Sequence, residues 1–325
     1  MTPEIVEVNP WKSFLHKKIA GKTDRMQRLL FLLVLFSISL SQAATKAAKI
    51  SPSTEQRPRI VQPPPLAPAN DDKTHEASPA VFKGFSVGTT AGYVDYKEPG
   101  QMREYGELYG LNAAYDAINE TSTIATHFEG QLVAGRLLYD GADVNLITGV
   151  RTPKTAPTDD YIFDSRATIG TFRKISSAFT VTPYIGLGYR DLNDKIQGSG
   201  SYNRNISYVY VPIGAQVAGS FSDSWSYSVG ADIDVVLYGT VISKLSDIDP
   251  ANPDITNHNH GFGARLTTSI RKKFSRFAIH FTPFYQKWKI EQSDGVAVTI
   301  NNSAGTLFEP ANESDFVGLN AGMDF

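Results

Sequence analysis

Asp232 and Asp234 lie two residues apart in the segment Trp225–Val241. On a strand that spacing puts both carboxylates on one face, where they could share a proton for acid–base work or hold a cation. Glu129, Asp164, Arg166, Arg190 and Arg265 occupy the same face of other alternating segments. Because both signs are present, the expected arrangement is a structural network in which Asp232 and Asp234 pair with inward arginines, with no catalytic residue among them. Asn257-His258-Asn259-His260, close to Asp254, puts two imidazoles on one face. That is half a ligand set, so no metal is expected. His127, His280 and scattered serines carry no motif, and a triad is defined by geometry that spacing alone does not supply.

The elements that must position these residues are strands. The chain ends in Asp315-Phe316-Val317-Gly318-Leu319-Asn320-Ala321-Gly322-Met323-Asp324-Phe325. Val317, Leu319, Ala321, Met323 and Phe325 share one face, and the polar and glycine positions share the other. One face suits lipid and the other a polar lumen. The same alternation gives Trp225, Tyr227, Val229, Ala231, Ile233, Val235 and Leu237 pointing outward, with Ser226, Ser228, Gly230, Asp232 and Asp234 pointing inward. A charge facing lipid at the midplane costs about 2–4 kcal/mol, which fixes the assignment. The fold class is therefore all-β, an antiparallel transmembrane β-barrel. Ten segments are expected, with cores near 85–96, 104–117, 123–138, 161–173, 179–190, 207–220, 225–241, 261–272, 277–290 and 316–325. Trp225, Tyr227, Tyr93, Tyr109, Tyr189, Tyr285 and Phe325 are candidates for the aromatic girdles.

Connection lengths alternate, as barrels with short periplasmic turns and long extracellular loops require. Residues 97–103, 139–160, 191–205, 242–260 and 291–314 form the longer links, and 118–122, 174–178, 221–224 and 273–276 the tight ones. Upstream, Leu29–Leu40 is an apolar run too short to span a membrane, preceded by Arg25 and Arg28 and followed by Ser41-Gln42-Ala43. It reads as a signal peptide over 1–43, with Met26 as an alternative start. Residues 44–80, containing Pro63-Pro64-Pro65, read as a flexible periplasmic linker, leaving 81–325 for the barrel. The 325 residues carry a formal net charge of −2 and no cysteine. This gives no reason to expect nucleic acid as a partner and leaves no disulfide framework. The expected partners are outer-membrane lipid and lipopolysaccharide, whose phosphates Lys287 and Lys289 could meet, and a possible host or surface ligand.

The stretch Thr182-Pro183-Tyr184-Ile185-Gly186-Leu187-Gly188-Tyr189-Arg190, with Tyr208-Val209-Tyr210-Val211-Pro212-Ile213-Gly214 beyond it, resembles porin-like and surface-antigen outer-membrane β-barrels of proteobacteria. The resemblance extends over 82–325 and implies a location in the outer membrane of a Gram-negative bacterium. Phe325 resembles the signal by which such barrels are handed to the outer-membrane assembly machinery, while Met323 departs from the aromatic often found there. An omptin-like protease is not supported, since the Asp-x-His spacing is absent and Asp159-Asp160 is only an echo of a carboxylate pair. The expectation is a non-enzymatic surface protein without cofactor, acting in structure, adhesion or recognition, with at most a narrow pore. The alternatives are a small outer-membrane enzyme, either that protease or a lipid-modifying hydrolase, and a diffusion porin.

Overall fold

The computed structural model describes residues 82–325 apart from 120, 122, 145–147, 177–178, 199 and 301–302; the expected signal peptide and linker lie outside the described residues. Ten strands form the wall: β1 Gly84–Glu98, β2 Met102–Asn119, β3 Ile124–Val144, β4 Arg151–Thr171, β5 Phe179–Lys195, β6 Asn203–Ser220, β7 Trp225–Ser243, β8 Gly261–Lys273, β9 Ala278–Ile290 and β10 Asn312–Asp324. Each pairs antiparallel with its chain neighbours, and β1 pairs with β10 from Ser86↔Asp324 to Lys97↔Glu313. Closure leaves no free edge in the part of the wall that all ten strands share. Phe325 finishes the seam, its N–H donating to Phe85 O at 2.8 Å and its carbonyl accepting from Phe85 N at 3.2 Å.

The outer wall is apolar in a belt. Leu111, Leu132, Ile169, Ile185, Ile213, Ile233, Leu266, Phe281 and Val317 supply one exposed residue from almost every strand. A continuous apolar belt of this kind has lipid as its solvent. Tyr93, Tyr161 and Tyr285 stand exposed at its extracellular edge, and Trp225 and Phe325 at its periplasmic edge. Lys272 sets its ammonium 5.1 Å from the Trp225 ring there.

Two expectations need correction. The first concerns the long links, which are largely strand. β3 and β4 have 21 residues each, about twice what a tilted strand needs to cross a membrane. Residues 139–144 and 151–160 thus continue the wall into the extracellular medium, and the first link shrinks to a turn closed by Gln101 N–H on Glu98 O at 2.8 Å. Outside the membrane a strand needs ladder partners but no apolar face, so hydropathy loses sight of it. Pro157 is tolerated because its carbonyl accepts from Gln197 N on the side where the ladder to β5 has ended, so its missing N–H costs no ladder bond. The link between β7 and β8 adds the strand Ile255–Asn259 against Gly239–Ser243, and the last link carries a hairpin of Val296–Ile300 with Ser303–Leu307.

The second correction concerns the lumen, which is not polar throughout: an apolar band separates the polar periplasmic layer from a second charged cluster at the extracellular end. Towards the extracellular side the inward positions become Val94, Leu108, Val133, Ile162, Leu192, Ile206, Tyr208, Tyr210, Phe284, Trp288 and Phe316, packed in one buried cluster. There the wall is apolar on both faces, like a core strand of a soluble protein.

Candidate functional site

The lumen is filled in layers. In the polar layer Glu129 of β3 accepts from Arg166 of β4 and from Arg265 of β8, the latter also through Nη2 at 3.3 Å. Arg166 turns its Nη1 to both oxygens of Asp232, at 3.0 and 3.1 Å, and the Tyr184 hydroxyl donates to Asp232 Oδ2 at 2.7 Å. These contacts tie β3, β4, β5, β7 and β8 across the interior. Two carboxylates and two guanidiniums balance in charge, which is the arrangement a buried ion network requires.

The next layer is built on Arg190 of β5. Its Nη1 reaches Asp164 Oδ2 at 3.4 Å and Gln286 Oε1 at 3.1 Å, Gln286 Nε2 donates to Asp164 at 3.2 Å, and Tyr210 OH donates to Asp164 Oδ1 at 2.6 Å. The guanidinium lies 5.5 Å from the ring of Trp288, which stacks on Tyr208 and takes the edge of Tyr210 at 5.1 Å. Glycines opposite the rings make the space. A Cβ on Gly188 would stand 2.2 Å from the Tyr210 ring, and one on Gly263 would stand 2.9 Å from Trp288. Trp288 is 2% exposed, so its indole is packed inside the bore.

The structure brings Glu129, Arg166, Asp232 and Arg265 together in one set and Asp164 with Arg190 in another, and Asp234 is joined to neither. Asp234 faces the lumen as its parity demands and is fully buried, yet neither of its oxygens has a hydrogen-bond partner. Its cross-strand neighbours are Pro212 and Gly263, which bring no side-chain donor. The expected pairing of Asp234 with an inward arginine is thus corrected by the bore geometry, which carries Arg166 to Asp232 instead.

Below the network a cavity of about 190 Å³ opens at the periplasmic end, lined by His127, Thr168, Tyr184, Arg271, His280 and Asn320 among others. His127 has both ring nitrogens on carboxylates, Nδ1 to Asp116 at 2.8 Å and Nε2 to Glu129 at 3.2 Å. His280 Nδ1 meets Asp324 at 2.8 Å, and Arg271 holds the same carboxylate at 2.7 Å. Among the described residues the partners of both imidazoles are carboxylates. His258 and His260 point outward, His258 against Tyr238, while Asn257 and Asn259 point in. Asp159 binds Arg136 on the outer wall and Asp160 faces inward, so the two carboxylates do not share a face. Among the described residues no group of three or more His, Asp or Glu is placed to hold a metal ion. Lys287 and Lys289 are engaged by Asp315 and Glu313 at 3.3 Å on the outer wall.

Residues that pattern reading did not single out make the top layer. Arg204 of β6 gathers Asp194, Glu98 and Glu309. The signal was present in Arg204-x-Ile206-x-Tyr208-x-Tyr210, one inward face, had β6 been extended past Ser207.

A closed antiparallel wall with an apolar outer belt and aromatic edges defines the class as an outer-membrane-type transmembrane β-barrel. No protein-family model matches the chain, and no curated protein matches its sequence. Similar solved structures include the transport unit of the autotransporter AIDA-I from Escherichia coli, 10% identical, covering 80% of this chain and 93% of that one, with a TM-score of 0.38. Neisserial surface protein A is 11% identical over 75% of this chain and 98% of its own, at 0.30. The toluene transporter TbuX of Ralstonia pickettii is 10% identical over 75% and 90%, at 0.29.

Proposed function

We propose that this protein is a non-conducting, non-enzymatic surface barrel that acts through its extracellular wall and links on a host or surface ligand. The observation that carries this reading is the Trp288–Tyr208–Tyr210–Arg190 layer across the bore. Water-filled transport needs an open path, and the packing of Trp288, Tyr208, Tyr210 and Arg190 across the bore supports its interruption here. The wall above the membrane, by contrast, is ordered strand, which holds a recognition surface at low entropic cost. Lipid and lipopolysaccharide are the expected neighbours of the belt, and the assembly machinery the expected reader of Phe325.

Purified full-length protein in planar bilayers should show no large stable conductance steps, and Trp288→Ala combined with Tyr208→Ala should introduce them. Stable large steps in the unmutated protein would move the reading to a diffusion porin. Hydrolysis of lipid A, phospholipid or basic peptides that disappears on changing His127 or His280 would establish an enzyme instead.

A further inference from the structure

The extracellular end of the barrel encloses more negative than positive groups. Arg204 is shared by three carboxylates: Asp194 of β5 at 2.8 Å, Glu309 in the link leading into β10 at 3.0 Å, and Glu98 at the end of β1. Glu104 of β2 and Asp160 of β4 face the same space. Asp160 takes the Thr158 hydroxyl, and Glu104 Oε1 is buried without a hydrogen-bond partner. All five carboxylates are between 1% and 6% exposed. The remaining titratable groups around them are phenols: Tyr96 of β1, whose hydroxyl donates to Glu98 at 3.1 Å, Tyr139 of β3, and Tyr202 and Tyr208 at and on β6. Lys154 of β4 is held by Asp143 and Ser201, and β10 brings only neutral Asn312 and Ser314 to the inner face.

Five carboxylates sealed from water around one guanidinium cannot all be ionised, because each added charge meets both desolvation and like-charge repulsion. The residue that can leave is Glu309. It lies outside the wall strands and is fastened by Arg204 through its side chain, and by Ser293 through its N–H at 2.8 Å and its carbonyl at 3.0 Å.

We infer that this cluster is a proton-dependent latch: protons held among the crowded carboxylates keep the Glu309 link seated on Arg204, and their loss releases that link and remodels the extracellular surface. The inference rests on topology and on the buried cluster, and stands whether or not that surface binds a ligand. Burial, with Glu98 and Asp194 beside it, pushes Glu309 up to about 8 against the pull of Arg204. Burial likewise holds Glu104 and Asp194 above the usual carboxylate range.

The sign follows from linkage. Released into water, Glu309 returns to an ordinary value near 4.5, so the latched state binds its proton more tightly. Stability of the latched state is full below about 4.5, falls as pH rises to about 8, and then levels. Within that window the released-to-latched ratio rises about tenfold per pH unit for each proton given up.

The chain has no cysteine, so Phe308→Cys with Lys195→Cys admits a clean pair of spin labels on the link and on the end of β5. In full-length protein in lipid nanodiscs, the longer-distance population is expected to grow by up to about tenfold per unit between pH 5 and pH 8. Glu309→Gln, whose amide oxygen still accepts from Arg204 but cannot ionise, is expected to abolish most of that rise. A distance distribution unchanged from pH 5 to pH 9 overturns the latch, and so does an equal pH dependence in Glu309→Gln.

Discussion

Asp232 and Asp234 sit on one face of β7, two residues apart, yet their removal should have opposite consequences. Asp232→Ala strips Arg166 of one of its two carboxylate partners; the two side chains are 3% and 7% exposed, so the guanidinium left behind is poorly compensated by water. Breaking a buried pair costs about 3–5 kcal/mol, and the surviving Glu129 contact keeps the figure near the lower bound. The Tyr184 hydroxyl also loses its acceptor, which adds about 1 kcal/mol. The expected loss is therefore roughly 4 kcal/mol. Asp234→Ala removes a carboxyl that has no partner. Relief of about 1–3 kcal/mol offsets the small cavity created, so stability should be unchanged or slightly raised. Urea unfolding in lipid vesicles, followed by heat-modifiable gel mobility, measures both. Combining Asp232→Ala with Arg166→Met should cost less than the sum of the single changes by about 0.5–3 kcal/mol. Equal losses for the two aspartates, or additivity in the Asp232–Arg166 cycle, would refute the layered network.

Gly188→Ala should destabilise the barrel by about 1–3 kcal/mol, because its Cβ would meet the Tyr210 ring at 2.2 Å, and Tyr210→Ala in the same chain should recover part of the loss in the same unfolding assay. Epitope tags at Gly149 and Pro253 should be reachable on intact cells and a tag at Asp223, between β6 and β7, should not; labelling of Asp223 alone would invert the topology. Deleting Phe325 removes both the terminal aromatic and the last two seam bonds to Phe85, and should lower the yield of folded, membrane-inserted protein.

What the sequence shows of this barrel is what lipid imposes on it. Where a strand has lipid on one side, alternation is compulsory, so residues such as Val317/Gly318 or Ile233/Asp232 declare their faces and the ten strands can be counted. Where β3 and β4 run on into water, no solvent enforces alternation, and 139–160 looks like a loop although its backbone pairs in full from Tyr139↔Ala156 to Val144↔Arg151. At the waist the difficulty is reversed. Leu132 outside and Val133 inside are both apolar, one for lipid and one for the packed lumen, and a run apolar on both faces carries no period. Contacts across the bore are harder still. Arg166 finds Asp232 from 66 positions away and Arg265 finds Glu129 from 136, distances set by strand tilt and stagger, which local pattern does not encode. The same stagger strands Asp234 between Pro212 and Gly263.

These three regimes bear on function differently. The polar periplasmic layer and the aromatic waist tie β3, β4, β5, β6, β7, β8 and β9 to one another through the interior. The top layer is held by one guanidinium against five carboxylates, and one of those belongs to a link outside the wall. On the proposed latch a change of pH acts first at this layer, whose three Arg204 carboxylates make no ion pair with Arg190 or Arg166 below. Any responsive behaviour of this barrel should then be confined to its extracellular end, where the links meet the medium.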